Sequence, residues 1–406
     1  MTLDDARALD EADPLAPFLD EFDRRGDRIY LDGNSLGVPP RATAARVAAV
    51  IHREWAGSLI GGWNDHDWIG APARVGARIA GIIGAHEDEV VVTDSTSVNL
   101  FKLTVATVRA LPDRSELVAE AGNFPTDLHV ARTAAELTGR RLVVAEPGGL
   151  TAAIGPDTGV AVLAHVHYKT GARHDMAALT THAEAHGAPI LWDLSHSVGA
   201  VPLDLTGCRV SMAVGCGYKY LNGGPGAPAF LHVAREWQAR LHSPISGWFG
   251  HADPFAFGDE WAAAPGVERF LAGTPPVLSM AALEVGVDLM ARVDPAALWA
   301  KAVALWELFV RRVGEVAPEL ALITPRDADA RGSHASFRHP HAHEIVAALI
   351  ERGVVGDFRA PDVARFGITP LTLTYEEVWR AAEMVGEVMA SEVWREPRFE
   401  VRARVT

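Results

Sequence analysis

The sequence predicts an α/β protein with a mostly parallel central sheet between helices, followed by a smaller α+β domain. Between residues 90 and 233, short apolar runs alternate with stretches whose apolar residues recur at helical spacing, as in strands joined by crossover helices. Beyond Pro275 and Pro276 the pattern changes to two long helical stretches and then to shorter mixed elements. With 406 residues, 49% of them apolar, the chain is long enough for a large domain and a smaller one, each with a buried core.

The expected elements follow from these patterns. Short apolar runs predict strands at residues 90–93, 115–119, 141–145, 160–165, 189–193, 212–215 and 229–233. Helical spacing predicts helices at residues 41–55, 97–110, 126–137, 176–186, 277–292 and 295–316. We expect three parts: an amino-terminal segment (1–55) that packs with the small domain, a large ligand-binding domain (56–285) and the small carboxy-terminal domain (286–406).

Charge and composition exclude several classes of protein. The formal net charge is −15, and the chain has no cluster of basic residues of the kind that binds nucleic acid or an anionic membrane. No apolar run approaches the roughly 18 residues of a membrane span, and the acidic residues 1–13 lack the pattern of a signal peptide. The two cysteines, Cys208 and Cys216, suit a reducing compartment. We therefore expect a cytoplasmic protein with neither a nucleic-acid nor a membrane partner.

The most informative segment is 215–226, Gly-Cys-Gly-Tyr-Lys-Tyr-Leu-Asn-Gly-Gly-Pro-Gly, directly after an apolar strand. It places Lys219 between two tyrosines and several glycines. Most lysines are solvated, but glycines let the backbone approach a bulky ligand closely. An amine in an apolar pocket has a lowered pKa, which an imine-forming lysine requires. The segment therefore predicts a Schiff-base lysine.

Asp193 is the second candidate, at the carboxyl end of an apolar strand upstream of Lys219. Ligands bind at this edge of an open α/β sheet. Schiff-base chemistry on pyridoxal phosphate needs a carboxylate beside the pyridine nitrogen, which keeps the ring protonated and able to accept electrons. By itself Asp193 could equally cap the next turn. Together with Lys219 and the nearby His196, the cofactor interpretation is the stronger one.

A phosphate site is predicted at residues 94–99, Asp-Ser-Thr-Ser-Val-Asn, between a strand and a helix. Hydroxyl groups and free N–H groups at a helix amino terminus bind anions, which makes Thr96 and Ser97 candidates; ordinary capping is the alternative. Tyr218 could add a phenolic donor to the same phosphate. No glycine-rich dinucleotide motif follows a strand and no P-loop occurs, so those two classes of nucleotide site lose their main support.

Taken together, these motifs resemble those of the kynureninases, pyridoxal-phosphate enzymes of fold type I. The similarity covers nearly the whole chain and includes segments that are specific to this family. These segments are 31–37 (LDGNSLG), 123–127 (NFPTD), 167–171 (HYKTG), 247–250 (GWFG) and 365–371 (RFGITPL). The resemblance implies pyridoxal 5'-phosphate as the cofactor, with Lys219 forming the Schiff base, Asp193 pairing with the ring nitrogen and His196 supporting the polar edge of the ring.

The resemblance also implies the remaining contacts of the cofactor. Phe124 would stack on the ring, and the further contacts from the same chain would be Thr96, Ser97, Asp127, Thr170 and Tyr218. Trp248 and Thr274 would join the phosphate site, and in this fold type such residues commonly come from the neighbouring subunit. The implied protein is a homodimer whose active site is shared between its subunits.

The implied reaction is the hydrolysis of the Cβ–Cγ bond of L-kynurenine to anthranilate and L-alanine, in tryptophan catabolism and NAD biosynthesis. Arg365 would bind the substrate α-carboxylate, since a guanidinium offers two parallel donors. Tyr218 is the candidate for the proton relay. Thr274 stands where the animal enzymes have Asn, and this difference favours plain kynurenine over its 3-hydroxy form.

Other functions remain open at this stage. A cysteine desulfurase needs a nucleophilic cysteine well downstream of the lysine, whereas Cys208 and Cys216 both precede it. An aminotransferase would share the motifs but would need a keto acid, and a catalytically silent protein could keep the fold alone. The histidines at 339, 341 and 343 are expected in a solvated loop, so no metal site is predicted.

Overall fold

Helices and strands alternate along most of the chain in the computed structural model, which describes residues 2–24 and 26–402. The α-helices are α1 (Leu3–Glu11), α2 (Arg41–Ala49), α3 (Ala56–Ser58), α4 (Gly62–Asp65), α5 (Ala71–Ile83), α6 (Thr96–Ala110), α7 (Pro125–Thr138), α8 (Leu150–Ala153), α9 (Met176–Ala185), α10 (Arg235–Gln238), α11 (Val277–Met290), α12 (Pro295–Val316), α13 (Ala342–Glu351) and α14 (Tyr375–Ser391). The strands are β1 (Ile29–Tyr30), β2 (Val90–Val92), β3 (Glu116–Glu120), β4 (Arg141–Ala145), β5 (Thr158–Ala164), β6 (Ile190–Asp193), β7 (Met212–Gly215), β8 (Phe230–Val233), β9 (Ala321–Leu322), β10 (His334–Arg338), β11 (Val354–Val355), β12 (Asp357–Arg359) and β13 (Val363–Gly367). The described residues leave out Met1 and Arg25 of the predicted amino-terminal segment and residues 403–406 of the predicted small domain.

The central sheet has the strand order β2-β8-β7-β6-β5-β3-β4. The five strands β7, β6, β5, β3 and β4 run parallel to one another. At the other edge, β8 runs antiparallel to both of its neighbours, β7 and β2. Every residue of β5, β6 and β7 is buried, as is typical of parallel strands covered by helices on both faces. These observations confirm the predicted α/β fold, and each predicted strand forms within a few residues of its expected bounds.

Two predicted helices differ from their expected bounds for local reasons. The helix expected at 97–110 already begins at Thr96, because the Ser95 side chain caps it by accepting a hydrogen bond from the Val98 N–H (3.4 Å). The helix expected at 41–55 is α-helical only to Ala49, and residues 50–55 continue as a wider π-helical turn. Apolar spacing alone does not distinguish these two kinds of helix.

The smaller part contains an antiparallel sheet of order β12-β13-β10-β9. Its core includes a cluster of three aromatic rings from Phe309, Phe337 and Phe366. The amino-terminal segment contacts both parts of the molecule, since α1 packs on α14 and β1 pairs with β11, whereas α2 packs on α11. In the described part of the chain, none of the helices combines the length and the apolar character needed to cross a bilayer.

Candidate active site at the carboxyl edge of the sheet

Lys219 lies in the loop after β7, at the carboxyl edge of the central sheet. The amino-terminal segment packs directly against its backbone. The Gly37 N–H donates to the Tyr218 carbonyl (2.9 Å), and a Cβ at position 37 would lie only 2.3 Å from the Lys219 carbonyl oxygen. Only glycine fits such a close approach. The segment 31–37 therefore fixes the position of the lysine backbone.

The Lys219 amine is hydrogen-bonded to a neutral imidazole. Its Nζ lies 2.9 Å from Nε2 of His196. Burial lowers the pKa of Lys219, and burial together with the charge of Lys219 lowers the pKa of His196 well below its ordinary value. Nδ1 of His196 is buried and has no hydrogen-bond partner within the described residues. Buried polar atoms are rarely left without a partner, so this atom indicates a site for a ligand or a water.

Two buried carboxyl groups face the same cavity. Asp193 ends β6, and its Oδ1 accepts a hydrogen bond from the Ser195 N–H (2.8 Å). Asp127 lies in the first turn of α7, where its Oδ2 accepts from Nδ2 of Asn123 (3.1 Å). Burial raises the pKa of Asp127 well above its ordinary value, and the charge of Asp193 adds to this effect. Burial also raises the pKa of Asp193. Such a pair favours a positively charged or protonated group beside it.

One cavity brings together most of the predicted site residues. Its wall includes Thr96, Ser97, Phe124, Asp127, Asp193, His196, Tyr218 and Lys219. The hydroxyl-bearing residues come from the start of α6, the acids from β6 and α7, and the lysine from the loop after β7. The carboxyl edge of the sheet thus gathers an amine, two acids and a helix amino terminus around one space.

Four of the predicted site residues are not part of the cavity wall that the described residues form. Thr170 is half-buried, with its hydroxyl 3.1 Å from Nδ1 of His167. Trp248 is half-buried and packs on Phe249 and Phe255, and Thr274 is exposed. Arg365 is buried on β13, where its Nη1 donates to the carbonyl of Tyr168 (2.5 Å). The structure therefore joins Arg365 to the cavity through Tyr168, which lines it.

Sequence reasoning missed Lys102, a lysine without exposed surface on α6. Its Nζ donates to Oδ2 of Asp94 (2.6 Å) and to the carbonyl of Phe270 (2.6 Å). It thereby links the turn before Thr96 to the segment before Thr274. The available signal was a lysine between apolar residues of a predicted helix. Its partner at Phe270 could not be read from local spacing.

Tyr168 and Asn123 were also missed as individual residues, although both lie in the family segments. The Tyr168 ring meets the Phe124 ring edge-on, with centroids 5.3 Å apart. Asn123 orients Asp127. Of the histidines predicted in a solvated loop, His339 and His341 lie against Trp394. The prediction is wrong for His343, which is buried in the first turn of α13, where its ring meets that of Phe358 edge-on. Within the described residues, no set of three or more His, Cys, Asp or Glu side chains is arranged to hold a metal ion.

Comparisons with known proteins bear on the family of the chain. The model of the kynureninase C-terminal domain family matches residues 298–385. Kynureninases of Burkholderia mallei (strain SAVP1) and Pseudomonas fluorescens are each 46% identical to this chain over 414 residues, covering 100% of both sequences.

Solved structures support the fold. The cysteine desulfurase of Thermococcus onnurineus NA1 superposes with a TM-score of 0.81 at 18% identity, covering 93% of this chain and 98% of that one. The cystine C–S lyase C-DES, in complex with cysteine persulfide, superposes with a TM-score of 0.78 at 18% identity, covering 89% and 98%. At this identity the likeness confirms the fold expected for fold type I and says nothing further about the reaction. The full-length similarity at 46% identity is decisive for the family: the chain belongs to the kynureninases.

Proposed function

We propose that this chain hydrolyses the Cβ–Cγ bond of L-kynurenine, consuming one water and releasing anthranilate and L-alanine. The observation that carries this proposal is the single cavity onto which the Lys219 amine, the buried acids Asp193 and Asp127 and the amino terminus of α6 converge. Membership of the kynureninase family supports the choice of substrate and of cofactor.

The residues of the cavity fit pyridoxal 5'-phosphate. The acid pair Asp193 and Asp127 suits a protonated pyridine nitrogen, and Nδ1 of His196, without a partner in the described chain, suits a further polar contact. Lys219 would hold the cofactor covalently. The other residues proposed to hold it are Phe124 on the ring face, Thr170, and Thr96, Ser97 and Tyr218 at the phosphate.

When bound, this cofactor supplies a protonated ring that draws electrons from the α-carbon of the substrate. Lys219 would take the proton from that carbon, and burial, which lowers the pKa of its amine, favours the neutral form that this step needs. Asp193 keeps the pyridine nitrogen protonated. Tyr218 gives a proton to Cβ after the carbon–carbon bond breaks; burial raises the pKa of its phenol, which keeps the proton on Tyr218 until that step. Arg365 contributes positive charge for the α-carboxylate.

A homodimer with a shared site completes this proposal. Trp248 and Thr274 lie away from the cavity of their own chain, and near Trp248 the side chains of Phe255 and Phe257 are 51% and 79% exposed. Exposed apolar side chains in a group typically mark an interface. The partner subunit would cover them, and each subunit would supply Trp248 and Thr274 to the phosphate of the other. Thr274 would also favour plain kynurenine over the 3-hydroxy form.

The setting of the reaction forms part of the same proposal. The family implies a cytoplasmic enzyme of tryptophan catabolism and NAD biosynthesis. The acidic balance of the chain supports the further expectation that neither nucleic acid nor an anionic membrane is a partner. The proposed enzyme has three parts, an amino-terminal segment (1–55), a large domain (56–285) and a small domain (286–406).

The cysteines argue against a desulfurase. Burial raises the pKa of both Cys216 and Cys208, and the Cys216 thiol faces the carbonyl of Ser195 (3.8 Å). A nucleophilic cysteine needs the opposite, a stabilised thiolate in a partly exposed position.

The direct experiment supplies the purified protein with pyridoxal phosphate and L-kynurenine in the absence of any keto acid. We expect fluorescent anthranilate and alanine in equal amounts. Product formation that depends on an added keto acid would instead identify an aminotransferase. To test the shared site, Lys219→Ala protein is mixed with Trp248→Ala protein, and part of the lost activity should return in mixed dimers.

A further inference from the structure

The turn that leads into α6 carries an acidic side chain where the proposed phosphate site begins. Asp94 lies two residues before Thr96, so their Cα atoms are at most about 7.6 Å apart, and Thr96 and Ser97 line the cavity. The Asp94 side chain is 27% exposed. A phosphate ester carries roughly 1.5 to 2 negative charges at neutral pH. An unpaired carboxylate this close would therefore repel it.

Lys102 pairs with this carboxylate from inside the protein. Its side chain has no exposed surface, and its Nζ donates to Oδ2 of Asp94 (2.6 Å). The ammonium group thereby lies near the amino terminus of α6, where the helix dipole disfavours a cation. Taking a charge out of water adds a further cost. Neither the helix nor burial favours a lysine at this place, whereas the charge of Asp94 does.

The turn has other contacts that hold its shape. Asp94 has a φ of 50°, a left-handed conformation that Asp adopts more readily than most residues. The Asp94 carbonyl accepts a hydrogen bond from the Ala229 N–H (2.9 Å), and the Thr93 N–H donates to the Ala229 carbonyl (2.8 Å). The Thr93 carbonyl accepts from Nδ2 of Asn99 (2.8 Å). Because these bonds hold the turn from both sides, what Lys102 adds to the phosphate site is mainly its charge.

We propose that Lys102 is a positioning residue of the phosphate site, which acts by cancelling the charge of Asp94 and keeping its carboxylate out of the cavity. Asp94 is not part of the cavity wall that the described residues form. The Phe270 carbonyl, which accepts from Nζ (2.6 Å), holds the ammonium group in place beside it. This role rests on the proposed function, because it takes the ligand of the cavity to carry a phosphate.

Pyridoxal 5'-phosphate and pyridoxal test this role, because they differ only in the phosphate and share the aldehyde that reacts with Lys219. Each is titrated against the cofactor-free protein, and binding is followed by the absorption of the covalently held ligand. Lys102→Met should weaken the binding of pyridoxal phosphate by roughly 10- to 100-fold and that of pyridoxal by less than about 3-fold. Lys301→Met is the matched control, since Lys301 is a buried lysine of α12 that pairs with Asp13 (2.6 Å); it should change neither affinity.

A second substitution separates the charge from the structure. Combining Lys102→Met with Asp94→Asn should restore the affinity for pyridoxal phosphate to within about 3-fold of the wild type, because the unbalanced carboxylate is gone although the bonds of Nζ are still missing. Asp94→Asn alone should bind pyridoxal phosphate at least as tightly as the wild type, since it leaves the positive charge unbalanced. An ion pair that only stabilises the fold would instead weaken both ligands in every variant that breaks it.

Three outcomes would overturn this role of Lys102: unchanged binding of pyridoxal phosphate in Lys102→Met, an equal loss for both ligands, or no recovery in the double variant. If Lys102→Met fails to fold, Asp94→Asn carries the test, and weaker binding of pyridoxal phosphate by that variant contradicts the role. The role and the proposed reaction fail separately. A wild-type protein that releases no anthranilate from kynurenine but shows the expected order of affinities contradicts only the proposed reaction.

Discussion

The two sides of the cavity differ in how their charged groups are satisfied. On the sheet edge, His196 has a buried ring nitrogen without a partner in the described chain, and two acids face each other near Lys219. On the small-domain side, Asp357 already accepts hydrogen bonds from both Arg359 and Arg365. The first side therefore has a polar atom left for a ligand, whereas on the second side the charged groups of Asp357, Arg359 and Arg365 are paired with one another. If Arg365 binds a substrate carboxylate as proposed, that carboxylate would lie beside the internal carboxylate of Asp357.

The largest expected effect comes from Lys219→Ala. The change removes the covalent anchor and the base, so turnover should fall by at least about 1,000-fold and the absorption band of the covalently held cofactor should disappear. The fold should persist, because the lost side chain only lines the cavity. Lys169→Arg, which removes another amine but keeps its charge, should retain both properties. Normal turnover in Lys219→Ala would refute the assignment.

Asp193→Asn should have the next largest effect. An amide does not hold the ring nitrogen in its protonated form, so we expect kcat to fall by roughly 100-fold or more while the covalently held cofactor remains detectable. Asp157→Asn, at an exposed position, is the control. An unaltered kcat in Asp193→Asn would show that the ring nitrogen has another partner.

Tyr218→Phe separates bond cleavage from the return of the proton. If Tyr218 protonates Cβ, rapid-quench measurements should show a first turnover that releases anthranilate normally and alanine more slowly, by roughly 100-fold. Tyr375→Phe, in α14 of the small part, should leave both steps unchanged. Full turnover in Tyr218→Phe after anthranilate release would require another acid.

The smallest expected effect concerns the charged groups on the small-domain side of the cavity and is measured as a change in the free energy of unfolding. Burial and the charge of Asp357 raise the pKa of Asp32 to about 7, against the opposing charge of Arg365. Between about pH 4 and pH 7 the folded protein thus holds a proton that the unfolded chain has lost, and stability should fall as pH rises through this window, by up to about 1.4 kcal/mol per pH unit.

Urea unfolding of the wild type and of Asp32→Asn across this range measures that contribution. The wild-type free energy of unfolding should decline more steeply with pH than that of the variant. Parallel curves would show that Asp32 keeps an ordinary pKa in the folded protein.

Local patterns predicted the strands of the central sheet and singled out Lys219 and Asp193, because each of these signals lies within one short stretch of the sequence. Buried strands are short apolar runs, and Asp193 was proposed from its position at the carboxyl end of one of them together with Lys219 and His196. Phe124 and Asp127 could be proposed only from the family resemblance, since neither has a distinctive spacing. Lys102 escaped prediction because its role depends on Phe270, which folding brings to it from another part of the chain.

The buried amine of Lys102 has a consequence for assembly. Its two hydrogen bonds tie the turn that leads into α6 to the chain that leads to Thr274. Displacing either segment would break one of these two bonds. In a dimer that exchanges Thr274, dimer formation would change cofactor affinity, and cofactor binding would then change subunit affinity by the same factor.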